Sequence, residues 1–165
     1  MTQLKNAHLD TLKAAILVQT DPEFVSYRTN GQTTLMAAWF NVEANPAVKA
    51  WRTSVPPEDS DEATPWPAFD VLSAGKRESW NIAFMRFARD YSRGPVRKWV
   101  TDVWGNASEG SNAAAILLAG QRNITRGEAV LGGFNQASTN TVSALKLAWE
   151  GSVSDVDISA ALARP

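Results

Sequence analysis

A chain of 165 residues, 44% hydrophobic and 20% charged, has the length of one domain and the composition of a globular protein. It has no cysteine, which excludes disulfides, thiol nucleophiles and thiolate metal sites, and no run nears the roughly 18 uninterrupted apolar residues of a membrane span. Net charge is −1 but unevenly spread: residues 1–75 hold five basic against nine acidic side chains, residues 76–98 seven against two, and residues 99–165 four against six. A basic segment in an otherwise acidic chain points to an anionic partner, or to head-to-tail contact with an acidic surface of another copy.

The opening residues MTQLKNAHLDTLKAAILVQ mix polar and apolar types and read as neither signal peptide nor lipid anchor. Thr2 is placed to cap a first helix whose apolar face is Leu4, His8, Leu12 and Ile16. Asp21-Pro22-Glu23 supplies a cap, a first-turn proline and a first-turn acid, so a second helix should run to about Arg28 and stop before Gly31. A third should cover Thr34 to Asn41. Asn45-Pro46 repeats the signal and predicts a fourth over NPAVKAWRTS, with Val48 and Trp51 on one face. Val55 to Pro67 holds four prolines and four acids in thirteen residues; this reads as an exposed, acidic, proline-rich loop within the domain, pinned by Trp66.

Residues 73–105 form the centre of the chain. Trp80, Phe84, Phe87 and Tyr91 fall at i, i+4, i+7 and i+11, one stripe of a helix. Ser92-Arg93-Gly94-Pro95 breaks it, Pro95 suits the start of another helix, and Val96, Trp99, Val100, Val103 and Trp104 give a second stripe ended by Gly105. The two should form a helical hairpin. Beyond it, NAAAILLAG predicts a buried helix ending at Gly120, and Thr125 to Glu128 has the form of a capping box, its helix stopped by Gly132-Gly133. Residues 134–141 read as loop. In VSALKLAWEG, Leu145, Leu147 and Trp149 alternate as in a strand while Val142, Leu145 and Trp149 fit a helix; a strand there has no convincing partner elsewhere. Ser154 with Asp155 and Asp157 opens a last helix to about Ala163. These elements predict a mostly α protein: a single, compact multi-helix domain over residues 1–165, organised around the central helical hairpin, with at most one short strand near 142–149.

Few residues point to chemistry. His8 is the only histidine and lies on the apolar side of its helix; a general base needs a positioned partner, so it reads as a packing residue. No G-x-S-x-G elbow, P-loop or G-x-G-x-x-G occurs, and Gly127, Gly132 and Gly133 follow a helix start instead of a strand. Glu58, Asp59, Asp61 and Glu62 could offer oxygens to a hard cation, but they lack the glycine and spacing of a calcium loop and read as solvated surface. The prediction is therefore no catalytic residue, cofactor or metal. The tryptophans could stack sugars or bases, yet the helical spacing of Trp80, Trp99 and Trp104 favours core. Arg86, Arg89, Arg93 and Arg97 step by 3, 4 and 4, with Lys98 beside them. The first three lie along one edge of the helix and its turn, and the basic segment reads as a solvated helix face paired within the chain, as a protein interface, or as a nucleic-acid contact, in that order.

The stretches AWFN…NPAVKAWRTSV (38–55), GKRESW…VRKWVTDVWGNA (75–107), ITRGEAVLGG (124–133) and WEGSVSDVDISAAL (149–162) cover most of the chain. Together they resemble a family of small proteins encoded among the structural genes of tailed bacteriophages. They are packing and capping patterns, and no functional residue is carried across. The resemblance implies a non-enzymatic virion protein made in the bacterial host cytoplasm: a head–tail connector or adaptor ring subunit, or a tail-associated component. Its partners would be other virion proteins (portal or tail subunits) and copies of itself, with no membrane. Rings use heterologous contacts, so Arg86, Arg89, Arg93, Arg97 and Lys98 would meet Glu58, Asp59, Asp61 and Glu62 of a neighbour. The alternative is a DNA-binding phage regulator that lays the basic 76–98 hairpin on duplex.

Overall fold

The computed structural model describes residues 4–132, 134–139 and 142–165, with side chains for 4–132 and 144–165. Ten helices and four strands occur among them: α1 Asn6–Val18, α2 Pro22–Thr29, α3 Thr33–Phe40, β1 Lys49–Trp51, α4 Pro57–Ala63, α5 Trp66–Asp70, α6 Ala74–Phe84, α7 Gly94–Trp104, α8 Asn112–Ala119, β2 Gln121–Asn123, α9 Arg126–Leu131, β3 Phe134–Thr139, β4 Val142–Leu147 and α10 Asp155–Leu162. The protein is mostly α. No described helix is long and apolar enough to cross a membrane.

The caps expected for α2, α9 and α10 are present. The Asp21 carboxylate accepts the N–H groups of Glu23 and Phe24, and Pro22 occupies the first turn of α2. Thr125 and Glu128 close a reciprocal capping box on α9, as do Ser154 and Asp157 on α10. Each box satisfies donors that the first helical turn leaves open. The cap expected of Thr2 lies outside the described residues; α1 starts after Lys5.

Several expectations are corrected. NPAVKAWRTS is not a helix. The Ala44 N–H donates to the carbonyl of Ile124, and the Ile124 N–H to that of Val48, so the chain arches through Asn45-Pro46 into β1, where Ala50 pairs in parallel with Leu145. Tertiary pairing overrides a local start signal here. Residues 55–67 are not a loop throughout, because all four prolines sit where a helix has no internal bond to lose. Pro56 and Pro65 are N-cap residues, while Pro57 and Pro67 fall in the first turns of α4 and α5. The ambiguous segment holds strand β4, and it has partners: the sheet order is β2-β1-β4-β3. Residues 134–139, expected as loop, form β3. With three residues each in β1 and β2, alternation is too brief to read.

The helix after Ser73 stops at Phe84 instead of reaching Tyr91. Arg89 forms a backbone bridge with Val55, the two N–H groups each donating at 2.8 Å. Its side chain turns back to donate to the carbonyls of Ala83 and Ile82 at the open end of α6.

The chain makes two compact units, neither contiguous in sequence. The first comprises residues 1–48, 123–134 and 147–165. In it α1, α3 and α10 pack around Leu12, Ile16, Phe24, Met36, Phe40, Ile158 and Ala161, all but completely buried. Asn41 brackets the backbone of Val153, donating to its carbonyl at 2.8 Å and accepting its N–H at 2.9 Å. Lys13 donates to the carbonyl of Arg164 at 2.5 Å, and the Arg164 guanidinium pairs with Asp10, which ties the chain end to α1.

The second unit comprises residues 49–122 and 135–146. Its core holds Trp51, Val55, Trp80, Phe84, Tyr91, Val100, Ile116 and Leu117. The Trp80 and Phe84 rings stack at 4.1 Å, and Trp104 meets Trp80 edge-on at 5.4 Å, so the predicted hairpin of α6 and α7 is the aromatic centre of this unit. The buried Trp80 N–H donates to the Thr64 hydroxyl at 3.1 Å. Gly120 must be glycine: a Cβ there would lie 2.1 Å from the ring of Tyr91.

Candidate charged interface

The acids of α4 divide according to their environment. Glu58 and Asp59 lie in its first turn, where carboxylates complement the positive end of the helix dipole. Asp59 is half-buried and pairs with Arg52 at 2.5 Å. Glu58, Asp61 and Glu62 are exposed, and no ion pair or hydrogen bond engages their carboxylates among the described residues. Their spacing of i, i+3 and i+4 sets the three along one face. The helix that carries them is anchored by the buried Ser60 and by the Thr64 hydroxyl, which donates to the Ser60 carbonyl at 2.7 Å. No cluster of three or more metal-ligating side chains occurs among the described residues.

The basic residues do not form one edge. Arg97, expected to take part in the charged contact, is only 5% exposed. Its guanidinium lies 4.7 Å from the Trp51 ring centroid and donates to the carbonyl of Tyr91 at 2.7 Å. Burial pulls its pKa below the usual value, and Asp90 partly opposes this. Arg89 is spent at the end of α6, its cation 5.8 Å from the Phe87 ring. Lys98 is exposed but paired with Asp102 one turn on, at 2.6 Å. Lys76 donates to the carbonyl of Val103 at 2.9 Å, and Arg77 to that of Asp70 at 3.4 Å. Of the seven basic residues in 76–98, Arg86 and Arg93 are left exposed, their side chains without a protein acceptor among the described residues.

The same stretch of chain also exposes large apolar side chains. Phe87 is 62% exposed, Ile82 45% and Trp99 37%. Phe87 and Trp99 were expected in the core with Trp80. The core placement of Phe87 failed because α6 ends at Phe84, which takes Phe87 off the helical stripe. Trp99 lies over the other arm of the hairpin, its indole N–H donating to the Ser79 hydroxyl at 2.7 Å. His8 is half-buried, edge-on to Trp149 with centroids 6.2 Å apart, in keeping with a packing role.

The hairpin thus presents unpaired arginines with exposed aromatic and aliphatic groups, and α4 presents unpaired carboxylates. Arginine and aromatic residues are enriched in protein–protein interfaces, where apolar contact supplies area and charge sets register. No family model matches the chain, and neither does any curated protein or solved structure.

Proposed function

We propose that the chain is a non-catalytic structural protein of a tailed-phage virion, a head–tail connector or tail-associated subunit, that binds neighbouring subunits through the α6–α7 hairpin. One observation carries the reading: the hairpin leaves Arg86 and Arg93 unpaired in company with exposed Ile82, Phe87 and Trp99. A solvated face would not need large apolar groups, and a phosphate-binding face would keep more of its cations outward. The resemblance to phage structural-gene products supplies the virion context, and heterologous contact between the hairpin and the α4 acids of the next copy suits a ring.

The test is assembly measured by size-exclusion chromatography with light scattering. Reversing Arg86 and Arg93 to glutamate should weaken association by roughly tenfold or more, since repulsion replaces attraction at the contact. Changing Glu58, Asp61 and Glu62 to lysine in the same chain should restore part of it. A parent that binds duplex DNA with steep salt dependence, together with no rescue by the second set, would replace this reading with a DNA-binding regulator.

A further inference from the structure

In the first unit, the half-buried indole of Trp39 packs against Phe24 and Phe40, with ring centroids 4.8 and 5.2 Å away. The guanidinium of Arg126 lies 4.1 Å from the Trp39 ring centroid. Two concavities share this pair as a common wall. One, of about 380 Å³, is bounded also by Gln19, Asp21, Asn45 and Val130. The other, of about 330 Å³, is bounded by Glu23, Tyr27, Leu35 and Val42.

Stacking occupies a face of the guanidinium but leaves its five N–H donors, which point out from the edge. No hydrogen bond or ion pair engages the Arg126 side chain among the described residues. The residue is nevertheless held in place: its backbone N–H donates to Val42 at 2.9 Å, and it follows the capping residue Thr125. A cation preorganised in this way loses little freedom on binding.

The nearby carboxylates are otherwise engaged. Asp21 caps α2, and Glu23 accepts the Tyr27 hydroxyl. With one acid in each concavity, a polyanion such as nucleic acid would bring several charges beside like charge, whereas a single carboxylate at Arg126 would not. Leu35 and Val42 are exposed on the rim, and concavities of this size, at the small end for ligand pockets, hold one or two side chains each.

We propose that this groove docks a segment of a partner protein that carries one carboxylate flanked by apolar side chains. The carboxylate takes the N–H edge of Arg126 in a forked, charge-assisted pair. The flanking side chains enter the two concavities against Trp39. The groove shares no residue with the hairpin contact proposed above, so either can fail without the other.

The test uses the full ¹⁵N-labelled chain titrated with the blocked peptide Ac-Ala-Leu-Glu-Leu-Ala-NH2, its glutamine counterpart and inorganic phosphate. The Glu peptide should shift the side-chain N–H signals of Trp39 and Arg126, with a Kd on the order of millimolar, as befits one small anchor. Replacing Glu by Gln in the peptide, or Arg126→Gln in the protein, should weaken binding roughly tenfold, with Arg126→Lys in between. Equal binding of the two peptides, phosphate binding tighter than the Glu peptide, or no shift of these signals would each overturn the proposal. The peptide comparison requires no variant to fold.

Discussion

Tyr91 has one of the most constrained side chains in the second unit. Its backbone N–H donates to Arg52 at 3.0 Å, its carbonyl accepts from Arg97, and its ring occupies the space a Cβ on Gly120 would need. Burial pushes its phenol up to about 12 from 10.0, against a downward pull from the Ser60 hydroxyl and the Arg52 charge. The neutral form is therefore favoured in the folded chain, while the unfolded chain loses its proton first. Stability from this group is full below about pH 10 and declines as pH rises toward 12, by about 2–3 kcal/mol at the limit. Urea unfolding between about pH 9 and pH 11.5 should show a shallower decline for Tyr91→Phe than for the parent. Equal slopes would mean that the phenol is not shielded from solvent. Arg97 makes a related point: a charged side chain can be buried where an aromatic face and a backbone carbonyl receive it.

Among the elements, the short helices depend on their termini. α4 and α5 have seven and five residues, too few for propensity alone to hold them, and the prolines of both, with the first-turn acids of α4, fix where they begin. α9, with six residues, relies on its capping box, and its Glu128 is buried and also accepts the Gly151 N–H at 3.2 Å. Thr125→Ala should cost about 1 kcal/mol of unfolding free energy, and Ser154→Ala on α10 a similar amount. Urea denaturation would measure both. A loss below about 0.3 kcal/mol in each would show that packing, and not the caps, sets these termini. The end of α6 works differently, since the Arg89 side chain reaches back to its last carbonyls.

For the whole molecule, the charge separation seen along the chain survives folding only in part. Most cations of 76–98 are turned to backbone carbonyls or paired locally, so the surface charge available to a partner is smaller than the sequence count of seven. Association through Arg86, Arg93 and the α4 acids should still depend on ionic strength, because exposed charges are screened over about 8–10 Å near physiological salt. Raising salt from about 0.05 to 0.5 M should weaken self-association of the parent. It should leave an Arg86→Gln, Arg93→Gln protein little changed, and the Arg86→Glu, Arg93→Glu protein, whose contact is repulsive, should associate more tightly as the salt screens that repulsion. If light scattering shows the parent associating more tightly at high salt, apolar contact through Phe87 and Trp99 dominates and the arginines are incidental.

The sequence by itself determined the mostly α character, the hairpin at 73–105 and the starts of α2, α9 and α10. These follow from interactions within a few residues: a cap accepting N–H groups two or three positions on, or apolar side chains recurring at helical spacing. It also placed Trp80 and Phe84 correctly, since both lie on a stripe that remains helical. Only the tertiary structure decided that Ala50 pairs with Leu145, that Val55 pairs with Arg89 and so cuts the helix short of Tyr91, and that the chain makes two units from interleaved segments. Those contacts join residues more than thirty positions apart, and no local pattern records them. The fate of each arginine belongs with them. Spacing set Arg86, Arg89 and Arg93 on one edge, with Arg97 following, but the nearest unsatisfied carbonyl or ring, known only once the chain has folded, drew Arg89 and Arg97 inward and left Arg86 and Arg93 exposed.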